Sequence, residues 1–352
     1  MYHSFLCRHT PIPSKNRQPQ PPTSVQLQSK TTGVQVFPGG PPHKTMHSPR
    51  VVSPCDTEGK TTLYCREAIN FSGFEKSSFD RLMLCSVVQY FPSLEYLMQT
   101  LEQAVRVVSD GGKIIVGDVR NYALLRAYHT SIELFQAIEG TEIDALETGV
   151  SEKILREQEL TIDPSWFLLL PELIPSISFV EVLPKRGKLQ NEMTRFRYDV
   201  VLHVNSRATS VDVEWQEWSH IKPTLDEMKQ QLEKTTGNTL GWNAIRNRRV
   251  VDETQLIAWL ESGQCADDVS TIRANLKQNA VLSIEPEDLI DLARLTEWRV
   301  HFRMADGNFS GDYDVVFFKS KVGLVEFPRY PSVEQKRARE YSNNPLKSSK
   351  NP

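Results

Sequence analysis

The sequence predicts an α/β fold, in which part of a Rossmann-like sheet is followed by a smaller α/β lobe. The first observation is a strand–helix–strand unit at Phe79–Arg120 whose two strands are apolar throughout, which indicates a parallel sheet covered on both faces. The second is a pair of apolar strands, Ser178–Leu183 and Arg195–Val204, suited to closing such a sheet at its edge. The third is a weak repeat of this half-domain later in the chain.

The central unit divides into four elements. We expect a strand at Arg81–Ser86, a helix at about Leu94–Val108, a turn at Asp110–Gly112 and a second strand at Lys113–Val116. Parallel sheets bind ligands beyond the carboxyl ends of their strands, so the residues that follow the two strands are the candidates for chemistry. These residues are Cys85, Ser86, Gln89 and Tyr90 after the first strand, and Gly117, Asp118 and Arg120 after the second.

Composition limits the class of protein. A chain of 352 residues with 39% hydrophobic residues can bury one large core or two modest ones. The net charge of −3 gives no electrostatic case for binding nucleic acid or membranes. No apolar run reaches the length of a membrane span, and the first residues lack the apolar region of a signal peptide. We therefore expect a soluble, cytoplasmic protein.

The five cysteines are scattered, with no CxxC pair and no histidine at metal-ligand spacing. This pattern predicts neither a disulfide framework nor a metal site. Cys85 lies at the end of the first central strand. We interpret it as a small apolar residue that fills space, since cysteine is among the side chains most often buried.

Residues 1–60 differ in composition from the remainder. Ten of the 21 prolines lie in residues 1–54, together with six Lys or Arg and no Asp or Glu. Such a segment buries too little apolar surface to offset its ordering entropy, and we predict a disordered tail. The prolines also disfavour the amphipathic helix of a transit peptide, and the glycines of Val36–Pro42 lack the strand and helix of a phosphate loop.

Two runs carry a resemblance to a known family. SVVQYFPS at Ser86–Ser93, followed by an apolar helix and GGKIIVGDVRNYALLRAYH, resembles the methyltransferase domain embedded in nonribosomal peptide synthetases. The likeness extends from about Leu63 to Leu346, including VEVLPKRG and NEMTRFRYDVVLHV. It implies a class I methyltransferase sheet, S-adenosylmethionine as cofactor, and N-methylation of an aminoacyl thioester on a carrier domain.

The resemblance also implies cofactor-binding residues, namely Asn70, Ser86, Gln89 and Tyr90. Asn70 falls where the family carries an acidic or amide pair for the adenine amino group, and Ile69 replaces the usual Asp. Asn70 is equally suited to be a turn residue. The alternative for Tyr90 is a core tyrosine whose hydroxyl finds a hydrogen-bond partner.

Three residues are implied as facing the substrate amine: Asp118, Arg120 and His129. Asp118 and Arg120 would position the substrate at the mouth of the site, or alternatively form a salt-bridged loop end. His129 lies in the predicted helix Tyr122–Gln136, and a histidine there is suited to accept the proton of the attacking amine. The alternative is a structural histidine.

The glycine-rich loop and the acid that hold this cofactor in class I enzymes are not visible in residues 1–60. The sequence therefore leaves two hypotheses. The chain is an N-terminally truncated methyltransferase whose partners are an aminoacyl-carrier domain and the missing N-terminal half, or it is an inactive remnant that serves as an interaction module. We expect no nucleic-acid or membrane partner.

The predicted domains are the methyltransferase part at 61–205, a second α/β lobe at 206–325 and a flexible, linker-like tail at 326–352. Thr235–Asn247 aligns with Ser109–Asn121 without a gap. Short motifs around Ile284 and Tyr313 repeat those around residues 162 and 198. We interpret the second lobe as a degenerate copy of the preceding half-domain; chance similarity is the alternative.

Overall fold

The computed structural model of the chain describes residues 25–28, 33–37, 61–207, 209–263, 268–276, 283–304, 310–319, 325–326 and 340–345. Within these residues the fold is mixed α/β, as predicted. The strands form a seven-stranded sheet, a four-stranded sheet and a two-stranded pair.

Two strands lie where the sequence predicted disorder. Strands β1 (Val25–Gln28) and β2 (Gly33–Phe37) pair antiparallel with each other, β2 pairs parallel with β3 (Thr61–Cys65), and β1 pairs antiparallel with β4 (Phe79–Cys85). The expectation of disorder across 1–60 thus differs from the structure at these strands. Both sequences alternate apolar and polar residues, and their backbone groups gain partners in the sheet. The proline-rich composition outweighed this short signal.

The central unit forms as predicted. Helix α1 (Leu94–Val107) begins at Ser93, whose side chain accepts a hydrogen bond from the backbone of Tyr96. Its buried residues recur at helical spacing, and the helix packs on β5 (Val108–Arg120), which runs parallel to β4. The predicted turn at Asp110–Gly112 is instead the beginning of β5.

The closing strands are β6 (Ile177–Pro184) and β7 (Arg197–Val204), which pair antiparallel. The order of the large sheet is β3-β2-β1-β4-β5-β7-β6. Four helices connect β5 to β6: α2 (Leu125–Gln136), α3 (Ile143–Leu155), α4 (Pro164–Leu168) and α5 (Leu170–Leu173). The helix α6 (Glu192–Phe196) connects β6 to β7.

The second lobe uses the rest of the chain. Its elements are β8 (Thr209–Ser210), β9 (Trp215–Glu217), α7 (Trp218–Ile221), α8 (Leu225–Lys234), β10 (Thr239–Ile245), α9 (Val251–Ser262), α10 (Val269–Leu276), α11 (Pro286–Leu295), β11 (Trp298–Met304), β12 (Tyr313–Lys319) and β13 (Val325–Glu326). The sequence Asp306-Gly307, which is typical of a hairpin turn, lies outside the described residues.

The strand order shows that the second lobe is a structural copy of the first. The small sheet runs β9-β10-β12-β11, and the matching part of the large sheet runs β4-β5-β7-β6. In both, the first two strands are parallel and the other pairs are antiparallel. The degenerate repeat predicted from short motifs is therefore a repeat of topology, which chance similarity would not produce.

Each of the two copies is stabilised internally by an equivalent hydrogen bond. The hydroxyl of the buried Tyr198 donates to the backbone carbonyl of Ile162 at 2.8 Å, and that of Tyr313 donates to the carbonyl of Ile284 at 2.9 Å. Each isoleucine also bridges to the strand end of its own lobe, at Asn121 and Asn247 respectively. A buried phenol needs such a partner, so each tyrosine fixes a loop to the sheet.

Part of the predicted flexible tail is ordered against the first lobe. Within residues 340–345, the side chain of Asn343 accepts a hydrogen bond from Thr161 N at 2.9 Å and donates to Glu159 O at 2.8 Å. The prediction of a flexible tail across 326–352 differs from the structure here. An asparagine amide satisfies backbone groups that would otherwise lose their partners on burial.

The tyrosine hydrogen bonds give a prediction about stability. We expect Tyr198→Phe and Tyr313→Phe each to lower the free energy of unfolding by about 1–2 kcal/mol, because a buried carbonyl loses its donor while the ring still fills its space. Urea unfolding followed by circular dichroism measures this change. Tyr90→Phe removes the same atom from a side chain that is 37% exposed and should change stability by less than about 0.5 kcal/mol. Equal stability of all three variants would contradict the prediction.

Candidate functional site

Two predicted site residues meet at the carboxyl ends of β4 and β5. The Ser86 hydroxyl donates a hydrogen bond to Asp118 Oδ2, and the Ser86 backbone N–H donates to the Gly117 carbonyl at 3.1 Å. Ser86 and Asp118 both adopt left-handed backbone conformations, with φ of 56° and 63°. Such angles are uncommon for residues other than glycine and turn both side chains out of the strand direction.

The position of Asp118 follows from an irregularity in the sheet. The register of β5 against β7 shifts between Val116 and Val119, which leaves the Asp118 N–H without a strand partner. The side chain of Asp199 accepts that N–H at 2.9 Å. The bulge therefore directs the carboxylate of Asp118 to the edge of the sheet where ligands of such folds bind.

Lys185 completes this cluster, which we call the Ser86–Asp118–Lys185–Asp199 network. Its ammonium lies 2.5 Å from Asp118 Oδ1 and 2.8 Å from Asp199 Oδ1. Burial alone would raise the pKa of Asp118, but hydrogen bonds from Lys185 and Ser86 lower it. Burial would lower the pKa of Lys185, but the two carboxylates raise it. Asp118 and Lys185 are therefore both charged near neutral pH.

Cys85 borders the network as a thiol. Burial, reinforced by the charges of Asp118 and Asp199, raises its pKa to about 11. A thiol that stays protonated at neutral pH is a poor nucleophile. This environment agrees with the interpretation of Cys85 as a space-filling residue.

Arg120 and His129 belong to a second, separate cluster around Glu157. Arg120 Nη1 lies 2.8 Å from Glu157 Oε1 and 3.1 Å from Glu159 Oε2, and His129 Nε2 lies 3.3 Å from Glu157 Oε2. The guanidinium also covers the ring of Tyr128 at 5.0 Å. Burial would raise the pKa of Glu157, but its contacts with His129 and Arg120 lower it to about 2. This arrangement is the salt-bridged one left open for Arg120.

His129 is only 6% exposed, and its ring lies against Tyr128 with 5.0 Å between centroids. The imidazole thus points at Glu157 rather than at the Ser86–Asp118–Lys185–Asp199 network. Its role as a base for the substrate amine stays a prediction.

The remaining predicted cofactor residues, Asn70, Gln89 and Tyr90, have other surroundings. The side chain of Asn70 accepts hydrogen bonds from Ser72 N and Ser72 Oγ, at 3.1 and 2.7 Å, so it forms the turn considered as the alternative. Gln89 is 4% exposed, and its backbone carbonyl accepts a hydrogen bond from Leu160 N at 2.7 Å. Tyr90 is 37% exposed. Cofactor contacts by these residues stay predictions.

The second lobe contains equivalents of some of the contacts in the Ser86–Asp118–Lys185–Asp199 network. The Ala244 N–H donates to Asp314 Oδ1 at 2.9 Å, as Asp118 does to Asp199, and Ala244 also has a left-handed φ of 54°. Arg303 pairs with Asp314 at 2.9 Å, much as Lys185 pairs with Asp199.

The strand registers place Ala244 at the position of Asp118 and Trp218 at that of Ser86. Trp218 is buried, with 2% of its surface exposed. The serine and the carboxylate at the mouth of the site are therefore specific to the first lobe.

Three residues of the site, Lys185, Asp199 and Glu157, were missed by the sequence analysis. Asp199 lies within the antiparallel strand β7. Lys185 follows an antiparallel strand, a position for which the carboxyl-end rule of parallel strands gives no signal. Glu157 lies in an acidic segment whose carboxylates are indistinguishable in sequence. Two features of the sequence could have indicated these residues. The basic run KRG directly after β6 contains Lys185, and Arg120 requires a carboxylate partner if it is buried.

Among the described residues, no group of three His, Cys, Asp or Glu is arranged to hold a metal ion. Within the same ranges, no helix is long and apolar enough to cross a membrane.

Comparison with known proteins identifies relatives of this chain. No family model matches the chain. Chondramide synthase cmdD of Chondromyces crocatus is 34% identical over 294 residues, which cover 82% of this chain. The chain is homologous to a segment of nonribosomal peptide synthetases. Two further relatives are the nonribosomal peptide synthetase asqK of Emericella nidulans, 28% identical over 84% of the chain, and cyclosporin synthetase simA of Tolypocladium inflatum, 27% identical over 77%. The resemblance predicted from the sequence is confirmed.

The synthetase-related chain is short beside these relatives, because the aligned part spans 7%, 12% and 2% of their respective lengths. Solved structures with partial similarity include the CurJ carbon methyltransferase, with 16% identity over 42% of this chain and 36% of that one, at a TM-score of 0.26. An S-adenosylmethionine-dependent methyltransferase of Methanosarcina mazei shows 16% identity over 41% and 66%, at a TM-score of 0.25. Scores at this level do not establish a shared fold.

The cluster around Glu157 predicts how stability depends on pH. Its folded pKa of about 2 lies below the ordinary value of 4.5, so its contribution is present above pH 4.5 and is lost as pH falls toward 2. We expect Glu157→Gln to lower the free energy of unfolding at pH 7 by about 3 kcal/mol and to flatten the acid side of the stability profile. Urea titrations at pH 7, 5 and 3.5 measure both effects.

Glu152→Gln is the matched control, since its ion pair with Arg156 is exposed and should contribute less than about 0.5 kcal/mol. If Glu157→Gln lost stability with the same slope as the wild type between pH 5 and 3.5, the pairing of this carboxylate would not be the cause.

Proposed function

We propose that the chain is a segment of a nonribosomal peptide synthetase methyltransferase that acts on the amine of a carrier-bound aminoacyl thioester. The observation that carries this proposal is the Ser86–Asp118–Lys185–Asp199 network at the carboxyl ends of two parallel strands. Its serine and first carboxylate are absent from the otherwise equivalent second lobe. Kinship with peptide synthetases supports the choice of an aminoacyl substrate.

The network is suited to bind an amine. It contains two carboxylates and one ammonium, so its net charge is negative and attracts a protonated amino group. Because the pKa of Asp118 is lowered, that carboxylate is ionised throughout the neutral range and accepts hydrogen bonds without competing protonation. The Ser86 hydroxyl fixes the orientation of the carboxylate. These contacts would orient the substrate nitrogen, which must lose its proton before it can accept a methyl group.

The described residues do not fit S-adenosylmethionine by themselves. Class I sites need a second strand parallel to β4, on the side away from β5, whose carboxyl end carries the loop that holds the cofactor. On that side the neighbour of β4 is β1, which runs antiparallel. The carboxyl end of β1 therefore lies at the opposite edge of the sheet. The Asn70 amide oxygen is also already engaged by Ser72. We accordingly assign the chain the substrate side of the reaction and derive no step through the cofactor.

The antiparallel β1 also favours a second candidate function. On that side the sheet carries the antiparallel hairpin of β1 and β2 and the strand β3. Such a sheet is suited to an interaction module that binds the substrate arm or a partner without transferring a methyl group. The two functions share the network but differ in their need for the cofactor.

Substrate binding by the network is tested with an aminoacyl N-acetylcysteamine thioester, which mimics the carrier-bound group. We expect the chain to bind this compound and Asp118→Asn to weaken binding about tenfold, because one charge-assisted hydrogen bond is lost. Isothermal titration calorimetry measures the affinity. Asp110→Asn removes an exposed carboxylate from the amino-terminal part of β5 and should leave the affinity unchanged. Equal weakening by both substitutions would remove the support for a specific amine site.

Methyl transfer is tested by mass spectrometry of the same thioester with S-adenosylmethionine. We expect no transfer by the 352-residue chain alone, and transfer after addition of the part of chondramide synthase cmdD that directly precedes the segment aligned with this chain. Absence of transfer in both mixtures, with thioester binding retained, would favour the interaction module. Transfer by the chain alone would contradict our conclusion that its described residues lack a cofactor cradle.

A further inference from the structure

The loop between β6 and α6, residues 185–191, carries the lysine of the candidate site but is held by the second lobe. The guanidinium of Arg249, which is 3% exposed, donates to the backbone carbonyls of Lys185 at 2.6 Å and of Gly187 at 2.9 Å. It also donates to the Thr194 carbonyl at 2.9 Å. A single buried guanidinium from the second lobe therefore binds three backbone carbonyls of the first lobe, two in this loop and one just after it.

The orientation of Arg249 is itself fixed. Its Nε lies 2.5 Å from Glu285 Oε1, and that carboxylate is nearly buried with it. Glu287, two residues further on, accepts Arg186 in a bidentate pair at 3.0 and 2.6 Å, and it accepts the Gly187 N–H at 2.9 Å. A planar guanidinium whose Nε is paired with a carboxylate has a fixed orientation, so its remaining N–H groups can donate to several acceptors at once.

The repeat shows that this side chain is not required by the fold of the second lobe. The Arg249 N–H donates to Asn247 Oδ1 at 3.1 Å, and the Ala123 N–H donates to Asn121 Oδ1 at 3.0 Å in the first lobe. The turn therefore requires only the backbone N–H of the residue at this position, and in the first lobe that residue is an alanine. The guanidinium is an addition directed entirely at Glu285 and at the loop of the other lobe.

We propose that Arg249 is a positioning residue for the candidate site and that it acts by fixing the loop from which Lys185 reaches Asp118 and Asp199. The second lobe then has a defined task, which is to hold the lysine of the first lobe in place. The significance of that lysine for methyl transfer rests on the proposed function, whereas its placement by Arg249 does not.

The chemical reactivity of the Lys185 amine tests the proposal without cofactor or substrate. We would label the full chain with a trace of acetic anhydride from pH 7 to 11 and measure acetylation at each lysine by mass spectrometry. In the wild type, Lys185 should react slowly and with a pKa above the ordinary value. In Arg249→Gln, the freed loop should lower that pKa by about one unit, which raises the rate near pH 8 about tenfold. The exposed Lys234 provides the reference rate.

Two further variants make the result specific. Arg249→Lys keeps one positive charge but not the fork, so it should give an intermediate reactivity of Lys185. Arg248→Gln changes the neighbouring arginine, which is partly exposed and 3.7 Å from Asp252, and should leave the profile unchanged. Wild-type reactivity of Lys185 in a folded Arg249→Gln protein would overturn the proposal.

Unfolding is recognised separately, because it would also raise the reactivity of Lys113 in β5. In that case Glu285→Gln carries the test, since it removes the carboxylate that orients the Arg249 guanidinium and should thereby loosen the contacts of Arg249 with the loop. A selective rise at Lys185 supports the proposal, and no rise overturns it. Failure of methyl transfer would leave either result standing, because labelling requires no activity.

Discussion

One backbone N–H without a strand partner organises each lobe of this protein. In the first lobe it belongs to Asp118 and is accepted by Asp199; in the second it belongs to Ala244 and is accepted by Asp314. A buried N–H left unpaired would cost about as much as a lost hydrogen bond, so the bulge and the aspartate occur together. The side chain of this aspartate is partly buried in the first lobe, where Asp199 is 27% exposed, and almost fully buried in the second, where Asp314 is 2% exposed, and a cation lies beside it in both lobes.

The two lobes serve as controls for each other. A non-glycine residue in the left-handed region costs on the order of 1 kcal/mol, and Ala244 adopts it with no carboxylate to orient. The strain at Asp118 is therefore a property of the bulge rather than evidence of function. What distinguishes the first lobe is the chemistry placed on this scaffold, a serine and a second carboxylate where the second lobe has Trp218 and an alanine.

The extent to which the sequence predicted these features follows from the range of each signal. Local periodicity located the central strands. The structure brings together two of the residues that follow those strands, Ser86 and Asp118. Lys185 was missed because its approach depends on docking of the second lobe, a contact that no local pattern encodes. Strands β1 and β2 were missed because alternation over four or five residues is weak beside a proline-rich composition.

The second lobe also addresses a general weakness of open sheets. The strand β6 is the last of the large sheet, and an uncovered last strand offers unpaired backbone groups to other chains. In this protein β11, the equivalent strand of the copy, lies against it. The ring of Phe179 on β6 packs between those of His203 and His301, with centroids 4.9 and 6.3 Å away. Each copy thus covers the edge of the other, and the same contact brings Arg249 to the loop that carries Lys185. Protection of the edge and construction of the candidate site are consequences of one docking geometry.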